Sequence, residues 1–332
     1  MIVAPLIGPP AMTAGETTDP LFSMFGLARK RYYWSPARML RILWGFSTNI
    51  PPHIAIFRLM RSRDYARFFK SNPRLPFRCL IRDYLANGLS NSERTACLLH
   101  HYMRLKSGMS AELLERILFQ RVTVLETEED DLHCEISLSF SRPFEKEGEL
   151  SFNLHVDGAI VFVLSFSIVP GWVIKSDSKE VLLISRLQGM KDYYPQIRKA
   201  TKALSDVAPA ALLLAALDGF GRFLGIRRMA SVSAARQSSY TEELSIFYKN
   251  AYDDFFSDIG LSCNTSGFFL SSLPIEEKPM TSIKRGHKLR TRKKRQFKSE
   301  LADQVCVRLQ QGLPSEAPEH CSEMESVQTV DI

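Results

Sequence analysis

The rhythm of apolar and polar positions changes twice along this chain. Up to about residue 120, apolar side chains recur at helical spacing. Ser35-Pro36 gives a helix start, an N-cap followed by Pro at the first helical position, with Met39, Leu40, Leu43 and Trp44 as its apolar side. The spacing predicts further helices over residues 54–69 and 77–87. Ser90-Asn91-Ser92-Glu93 has the form of a capping box ahead of Leu98, Leu99, Tyr102 and Met103, and Ser110 opens one more helix through Leu113, Leu114, Ile117 and Leu118. The acidic cluster at 126–131 then marks a boundary where the period drops to two. Strands are expected over 134–141, 150–156, 159–166 and 181–187, with Asp157-Gly158 as a hairpin turn and Pro170-Gly171 as another. After Leu187 the helical rhythm returns. Pro195 lies in the first turn of one helix and Pro209 opens a second over 210–223, which Gly225 ends. A strand at 228–233, a helix at 241–257 and a strand at 267–271 complete the pattern.

Four antiparallel strands, then helix, strand, helix, strand, is an α+β order: a helical N-terminal region packed on a mainly antiparallel sheet with flanking helices. The expected organisation is a loosely attached segment 1–28, a basic helical region 29–125, an α+β core 126–310 ending in a basic segment, and an acidic flexible tail 311–332. The order resembles the acetyltransferase-like fold of the GNAT superfamily, in which acyl-CoA lies between two splayed strands with its pyrophosphate at a helix N-terminus. That superfamily's phosphate loop carries spaced glycines. Here Gln188-Gly189-Met190-Lys191 offers one glycine and Asp206-Val207-Ala208-Pro209 none, so no cofactor is assigned.

Charge sharpens the picture. The net charge of +7 is unevenly spread. Residues 1–120 carry 17 Lys/Arg against 7 Asp/Glu, and residues 281–300 carry 9 against 1. The middle of the chain and its tail are acidic. Such asymmetry suits contact with anionic partners, phospholipid headgroups or nucleic acid. No apolar run reaches the ~18 residues of a membrane-spanning helix. Residues 1–8 lack the basic start of a secretory signal, so the expected location is cytoplasmic, with peripheral attachment at the inner membrane. Six scattered cysteines without a CxxC pair fit neither a disulfide framework nor a zinc site. No GxSxG, HExxH or Walker motif occurs.

Several stretches together resemble the VirK/YbjX family of Gram-negative bacteria. They are Leu99-His100-His101-Tyr102, Val161-Phe162-Val163-Leu164-Ser165-Phe166, Arg186-Leu187-Gln188-Gly189, Ile197-Arg198-Lys199-Ala200-Thr201-Lys202, Pro209 with its Leu-rich helix, Tyr252-Asp253-Asp254-Phe255-Phe256, and the basic block 284–295. The family tends to have a His-Gly-like turn where Ser205-Asp206 stands here, and Trp where Phe256 stands. The resemblance implies a virulence-associated accessory factor that supports envelope integrity, display of outer-membrane virulence proteins or resistance to antimicrobial peptides. It brings no catalytic residues, and whether the chain is an enzyme stays open. A GNAT-like acyltransferase and a nucleic-acid-binding regulator are the alternatives.

Two constellations carry candidate chemistry. Arg186, Gln188 and Gly189 at a strand end, with Arg198 on the next helix, form a candidate anion site, since Arg offers a planar fork of donors. The competing reading is a turn plus a solvated helix residue. Lys284, Arg285, Lys288, Arg290, Arg292, Lys293, Lys294 and Arg295 form a candidate contact for a membrane or for nucleic acid. Lipid phosphate ranks ahead of nucleic acid because the resemblance concerns the envelope. The competing reading is a basic helix folded back on the acidic middle region. Arg29-Lys30-Arg31-Tyr32-Tyr33-Trp34 mixes cations with interfacial aromatics, which suits headgroups or a packing corner. His101 is a candidate general base or a packed residue. Asp253 and Asp254 cannot face each other from one helix, so aromatic anchoring by Tyr252 and Phe256 is the stronger reading there.

Overall fold

The computed structural model describes residues 50–129, 131–141 and 146–312. The N-terminal segment 1–28, the cation–aromatic run at 29–34, the helix predicted from Ser35 and residues 313–332 of the tail lie outside the described residues.

Helices α1 (Ile50–Met60), α2 (Ala66–Ser71), α3 (Asn91–Gly108) and α4 (Ala111–Phe119) precede the sheet. The Ser90 hydroxyl accepts from the Glu93 N–H at 3.2 Å and the Glu93 carboxylate takes the Ser90 N–H at 2.7 Å, the reciprocal box that the spacing predicts. Two expectations fail here. The helix expected over 54–69 is broken between Met60 and Ala66. The segment expected as a helix over 77–87 is a 3-10 turn, Leu75–Leu80, followed by irregular chain in which Leu85 takes φ 64°. The reason is tertiary: the Leu85 N–H is drawn to the Lys146 carbonyl and the Asn87 N–H to that of Arg236, bonds that a local helix cannot make.

The sheet comprises β1 (Val122–Glu129), β2 (Leu132–Phe140), β3 (Leu150–Val156), β4 (Ala159–Pro170), β5 (Glu180–Gly189), β6 (Arg228–Val232), β7 (Ser262–Cys263) and β8 (Phe268–Ser272). Its order is β1-β2-β3-β4-β5-β6-β8-β7, antiparallel except for the parallel β5–β6 pair. The fold is therefore α+β with a mostly antiparallel sheet. Strand β1 went unread in the sequence because its outer half, Glu126, Glu128 and Glu129, carries edge-strand charge that reads as a boundary. Asp157 (φ 49°) and Gly158 (φ 79°) form the two-residue turn between β3 and β4.

One sheet face is apolar: Ile136 and Leu138, Phe152 and Leu154, Leu164 and Phe166, all buried. Helix α6 (Pro209–Leu224) packs there, with the Phe220 ring 5.1 Å from Phe166 and 6.3 Å from Phe152. Helix α5 (Tyr194–Ala203) precedes it. A helical stretch over 245–258, α7, contains a π turn at Lys249–Asp254. The last helix, α8 (Lys288–Gln311), lies against α6 through Leu301, Ala302, Val305 and Leu309. Gly219 of α6 meets it so closely that an added Cβ would stand 2.4 Å from the Ala302 carbonyl oxygen.

A buried carboxylate links the helical region to the sheet. Glu149, fully buried just before β3, accepts hydrogen bonds from the hydroxyls of Tyr84 at 2.8 Å and Tyr102 at 2.6 Å, and from Arg78 Nη1 at 3.2 Å. Burial alone would raise its pKa. The Arg78 guanidinium, with the two hydroxyls, outweighs that and holds the carboxyl below its ordinary range. Both phenols are pushed well above their ordinary pKa by burial and by the carboxylate, so they remain donors. Removing one partner of a buried pair strands the other. Glu149→Gln is expected to lower unfolding stability by roughly 3–5 kcal/mol in urea titration. Tyr102→Phe is expected to cost roughly 1–3 kcal/mol. A Glu149→Gln chain as stable as the parent would show that the carboxylate does not hold the two parts together.

Candidate functional site

The parallel β5–β6 pairing covers only Leu182↔Met229 to Ile184↔Ser231, after which the strands part. Strand β5 carries an irregularity at the same point, so that Ser165 faces Arg186 and Phe166 faces Ile184, with Ser185 left over. A strand end released in this way exposes backbone donors that need partners. Tyr252, fully buried on the π turn of α7, supplies one: its hydroxyl accepts from the Leu187 N–H at 3.4 Å and from the Gln188 side-chain amide at 3.3 Å. The edge of β5 beyond its pairing with β6 is thus bonded by a side chain of the protein itself.

Arg186 and Gln188 are both buried on β5, and Gly189 closes the strand opposite Phe162. The Arg186 guanidinium Nε lies 3.6 Å from Glu147. Glu147 also accepts from Ser238 Oγ at 2.9 Å, Ser239 Oγ at 3.0 Å and the Gln237 side-chain amide. Arg198 stands exposed on α5. The structure therefore brings Arg186 and Gln188 into one buried polar cluster with Glu147 and Tyr252, while Arg198 is a surface residue. A polar depression of about 440 Å³ opens beside Ser238, lined by Arg82, Asp83, Asn87, Gly88, Lys146 and Tyr240, with Lys146 paired to Asp83 at 2.6 Å.

The second sheet face is polar and buried, a feature the sequence reading missed. Ser137 binds His155 Nε2 at 2.8 Å, and Ser141, Ser151 and Ser165 form a chain with links of 2.6 and 2.9 Å. The Asn153 amide donates to Ser139 at 3.1 Å, and Glu135 takes Thr123 Oγ1 at 2.7 Å and Arg121 at 3.0 Å. The signal was present as strict alternation, Glu135-Ser137-Ser139-Ser141 and Ser151-Asn153-His155, but period-two polarity normally marks a solvated face. Burial lowers the pKa of His155 and keeps its imidazole neutral. His101 is likewise packed: its Nδ1 accepts the Ile168 N–H at 3.0 Å, and burial depresses its pKa to about 4. Asp253 accepts the Ala234 N–H at 2.8 Å and Asp254 pairs with Lys249 at 2.7 Å, so each has its own local partner. Phe256 stacks on Phe269 at 5.9 Å, which anchors α7 on the sheet.

The basic block divides in two. Arg290 pairs with Asp206 at 3.1 Å, Lys294 donates to the Asp206 carbonyl, and Arg295 bonds Glu277 and the Lys278 carbonyl. Ser205 and Asp206 are consecutive left-handed residues, φ 55° and 59°, so two of these cations fasten α8 onto a strained turn. Lys284, Arg285, Lys288, Arg292 and Lys293 are exposed, and among the described residues none has an acidic partner. They surround the start of a 24-residue helix that has no side-chain cap and no acidic residue in its first turn. Cations at that end oppose the helix dipole.

Among the described residues, no group of His, Cys, Asp and Glu side chains gathers as metal ligands would, and no helix is long and apolar enough to cross a membrane. The family described as "Protein of unknown function (DUF535)" matches residues 54–307. The "Uncharacterized protein YbjX" of Escherichia coli (strain K12) is 25% identical over 221 residues, 64% of this chain and 64% of that protein. The chain thus spans just under two thirds of that relative's length. No solved structure matches the chain.

Two outcomes follow from the buried groups. Arg186→Ala should lower the apo melting temperature by several degrees, since it removes the cation beside Glu147, whereas Arg198→Ala should leave it unchanged. Loss of stabilisation by a phosphate-bearing ligand in the double variant, with an unaltered apo melt, would instead restore the anion site. For pH, the unfolded chain protonates His101 first, because its folded pKa of about 4 lies below the ordinary 6.5. The stability from neutral His101 is complete above pH 6.5 and is lost as pH falls toward 4. Glu149, also depressed, adds a loss in the same direction below its ordinary 4.5. Urea midpoints should therefore fall from pH 7 to 4.5, and His101→Gln, which keeps an acceptor for Ile168, should remove roughly 2–3 kcal/mol of that fall.

Proposed function

The chain belongs to the DUF535 family, the VirK/YbjX family, and we propose that it is an accessory protein that works at an anionic membrane surface through the start of α8. The observation that carries this is the set of five exposed cations, Lys284, Arg285, Lys288, Arg292 and Lys293, which have no acidic partner among the described residues and stand around an uncapped helix start. The arrangement is unfavourable alone and becomes favourable beside anions. Leu289, 66% exposed within the same turn, adds an apolar contact that a headgroup layer accepts and a nucleic-acid backbone does not. The packed half of α8 keeps the cations on a rigid body, so contact needs no refolding. In the cell this reading corresponds to a peripheral factor at the inner membrane face, supporting envelope integrity, display of outer-membrane virulence proteins or resistance to antimicrobial peptides.

A second reading, an acyl-CoA-dependent transferase, draws on the parting of β5 from β6 beyond Ile184, the position at which the resembled fold admits its cofactor. Tyr252 already bonds the released edge of β5, and Gln188-Gly189-Met190-Lys191 has the single glycine Gly189, so this reading ranks second.

Purified protein should sediment with vesicles containing anionic lipid and not with neutral ones. Binding should weaken with salt, because exposed charges are screened over ~10 Å at 0.1 M. Changing Lys284, Arg285, Lys288, Arg292 and Lys293 to Gln should reduce affinity at low salt by several kcal/mol, at ~1 kcal/mol per cation. Changing Arg290, Lys294 and Arg295 should matter less, because those side chains already serve the fold. Equal binding by the five-Gln chain and the parent would end the lipid reading. Saturable thermal stabilisation by acyl-CoA would promote the second.

A further inference from the structure

Helix α1 presents two different sides. His53 and Ile56 are buried against the body, whereas Ile50, Ile54 and Phe57 are 46%, 44% and 37% exposed. Their spacing of four and then three residues puts them on one line of the helix. Phe77, 38% exposed, extends that line, with its ring edge-on to Phe57 at 6.2 Å. Single exposed apolar residues are ordinary, but a contiguous row is not. Arg58 lies one turn after Ile54, and Arg61 lies one turn after Phe57, just past the helix end; both are exposed and, among the described residues, have no acidic partner, while the exposed Arg63 lies beside Asp64.

We propose that α1 is a second membrane contact, which seats Ile50 and Ile54 at the acyl boundary of an anionic bilayer while Arg58 and Arg61 meet lipid phosphate. An apolar row bordered by cations is the composition of an interfacial helix. Phosphate contacts alone would account for the arginines and not for the row. A second copy of the chain fits poorly: four partly exposed side chains fall short of the ~800 Å² per partner of a stable dimer, and the arginines would repel their own copies. The inference rests on the anionic-surface reading and adds depth of insertion to it. Contact through the start of α8 is electrostatic and yields to salt, whereas seating of the α1 row persists in salt.

The test is Ile54→Trp with vesicles of phosphatidylglycerol and phosphatidylethanolamine carrying brominated acyl chains. The parent chain, with Trp34, Trp44 and Trp172, serves as the reference. The expected result is an extra indole signal that shifts to the blue and is quenched by the brominated chains, and that survives about 0.5 M salt. Ile54→Asn should then weaken the binding that remains at high salt by about tenfold, with circular dichroism unchanged. Vesicle binding with an unquenched indole would overturn the α1 contact and leave the α8 reading standing. Absence of vesicle binding would remove both. A parent dimer that Ile54→Asn converts to a monomer would assign the row to self-association and also overturn the proposal.

Discussion

A carboxylate held at zero exposure sets the terms for the rest of this structure. Glu149 can stay ionised only while Arg78, Tyr84 and Tyr102 reach it, and these come from a 3-10 turn, an irregular loop and helix α3. That requirement explains why residues 75–89 forgo a helix. The chain must bend, with Leu85 at positive φ, to deliver a cation and a phenol to one point while its N–H bonds Lys146. Two residues before Glu149, Glu147 does the same for the other side of the fold, gathering Arg186, Gln237, Ser238 and Ser239. The short stretch 146–149 thus ties the early helices, β5 and the loop before α7 together. Buried ionic groups of this kind need not add net stability; they fix which arrangement is permitted, because every wrong one strands a charge.

The same economy bears on function. Polar groups on the buried polar face of β2, β3 and β4 bond one another, His155 Nδ1 excepted, and Tyr252 bonds the edge of β5 where it parts from β6. The interior is a place where charge is settled. At the start of α8 charge is left unsettled, with five cations gathered where a helix dipole resists them, beside an exposed Leu289. Among the described residues no acidic side chain lowers the free energy of that end, and lipid phosphate is the partner proposed for it. Arg290, Lys294 and Arg295 mark the division, since they look like members of the same basic run and yet are spent on Asp206, Glu277 and Lys278.

Local signals in the sequence carried the elements they govern. The Ser90–Glu93 box, Asp157-Gly158, Pro209 and Gly225 each act within a few residues, and each stands where the spacing placed it. What the sequence hid depends on distant partners. Strand β1 is acidic on its outer half and pairs with β2 across a turn, so its charge masked its pairing. The residues 77–87 have helical composition, but their backbone bonds lie at residues 146 and 236. Tyr252 was legible as an aromatic anchor, while its hydroxyl's role on β5 needed the β5–β6 geometry. The basic run was plain as a run; which of its members are structural depended on Asp206, far away in sequence, and on how the irregular chain after Glu277 turns back to α8.

Amide hydrogen exchange with and without anionic vesicles reads every segment at once and so distinguishes contact through α8 from binding elsewhere. Contact through the start of α8 raises protection at residues 284–295 and leaves β5 and α7 as they were. Unchanged exchange at 284–295, or vesicle-induced change confined to residues 185–189 and 249–254, would contradict it and return attention to the edge of β5 that Tyr252 bonds.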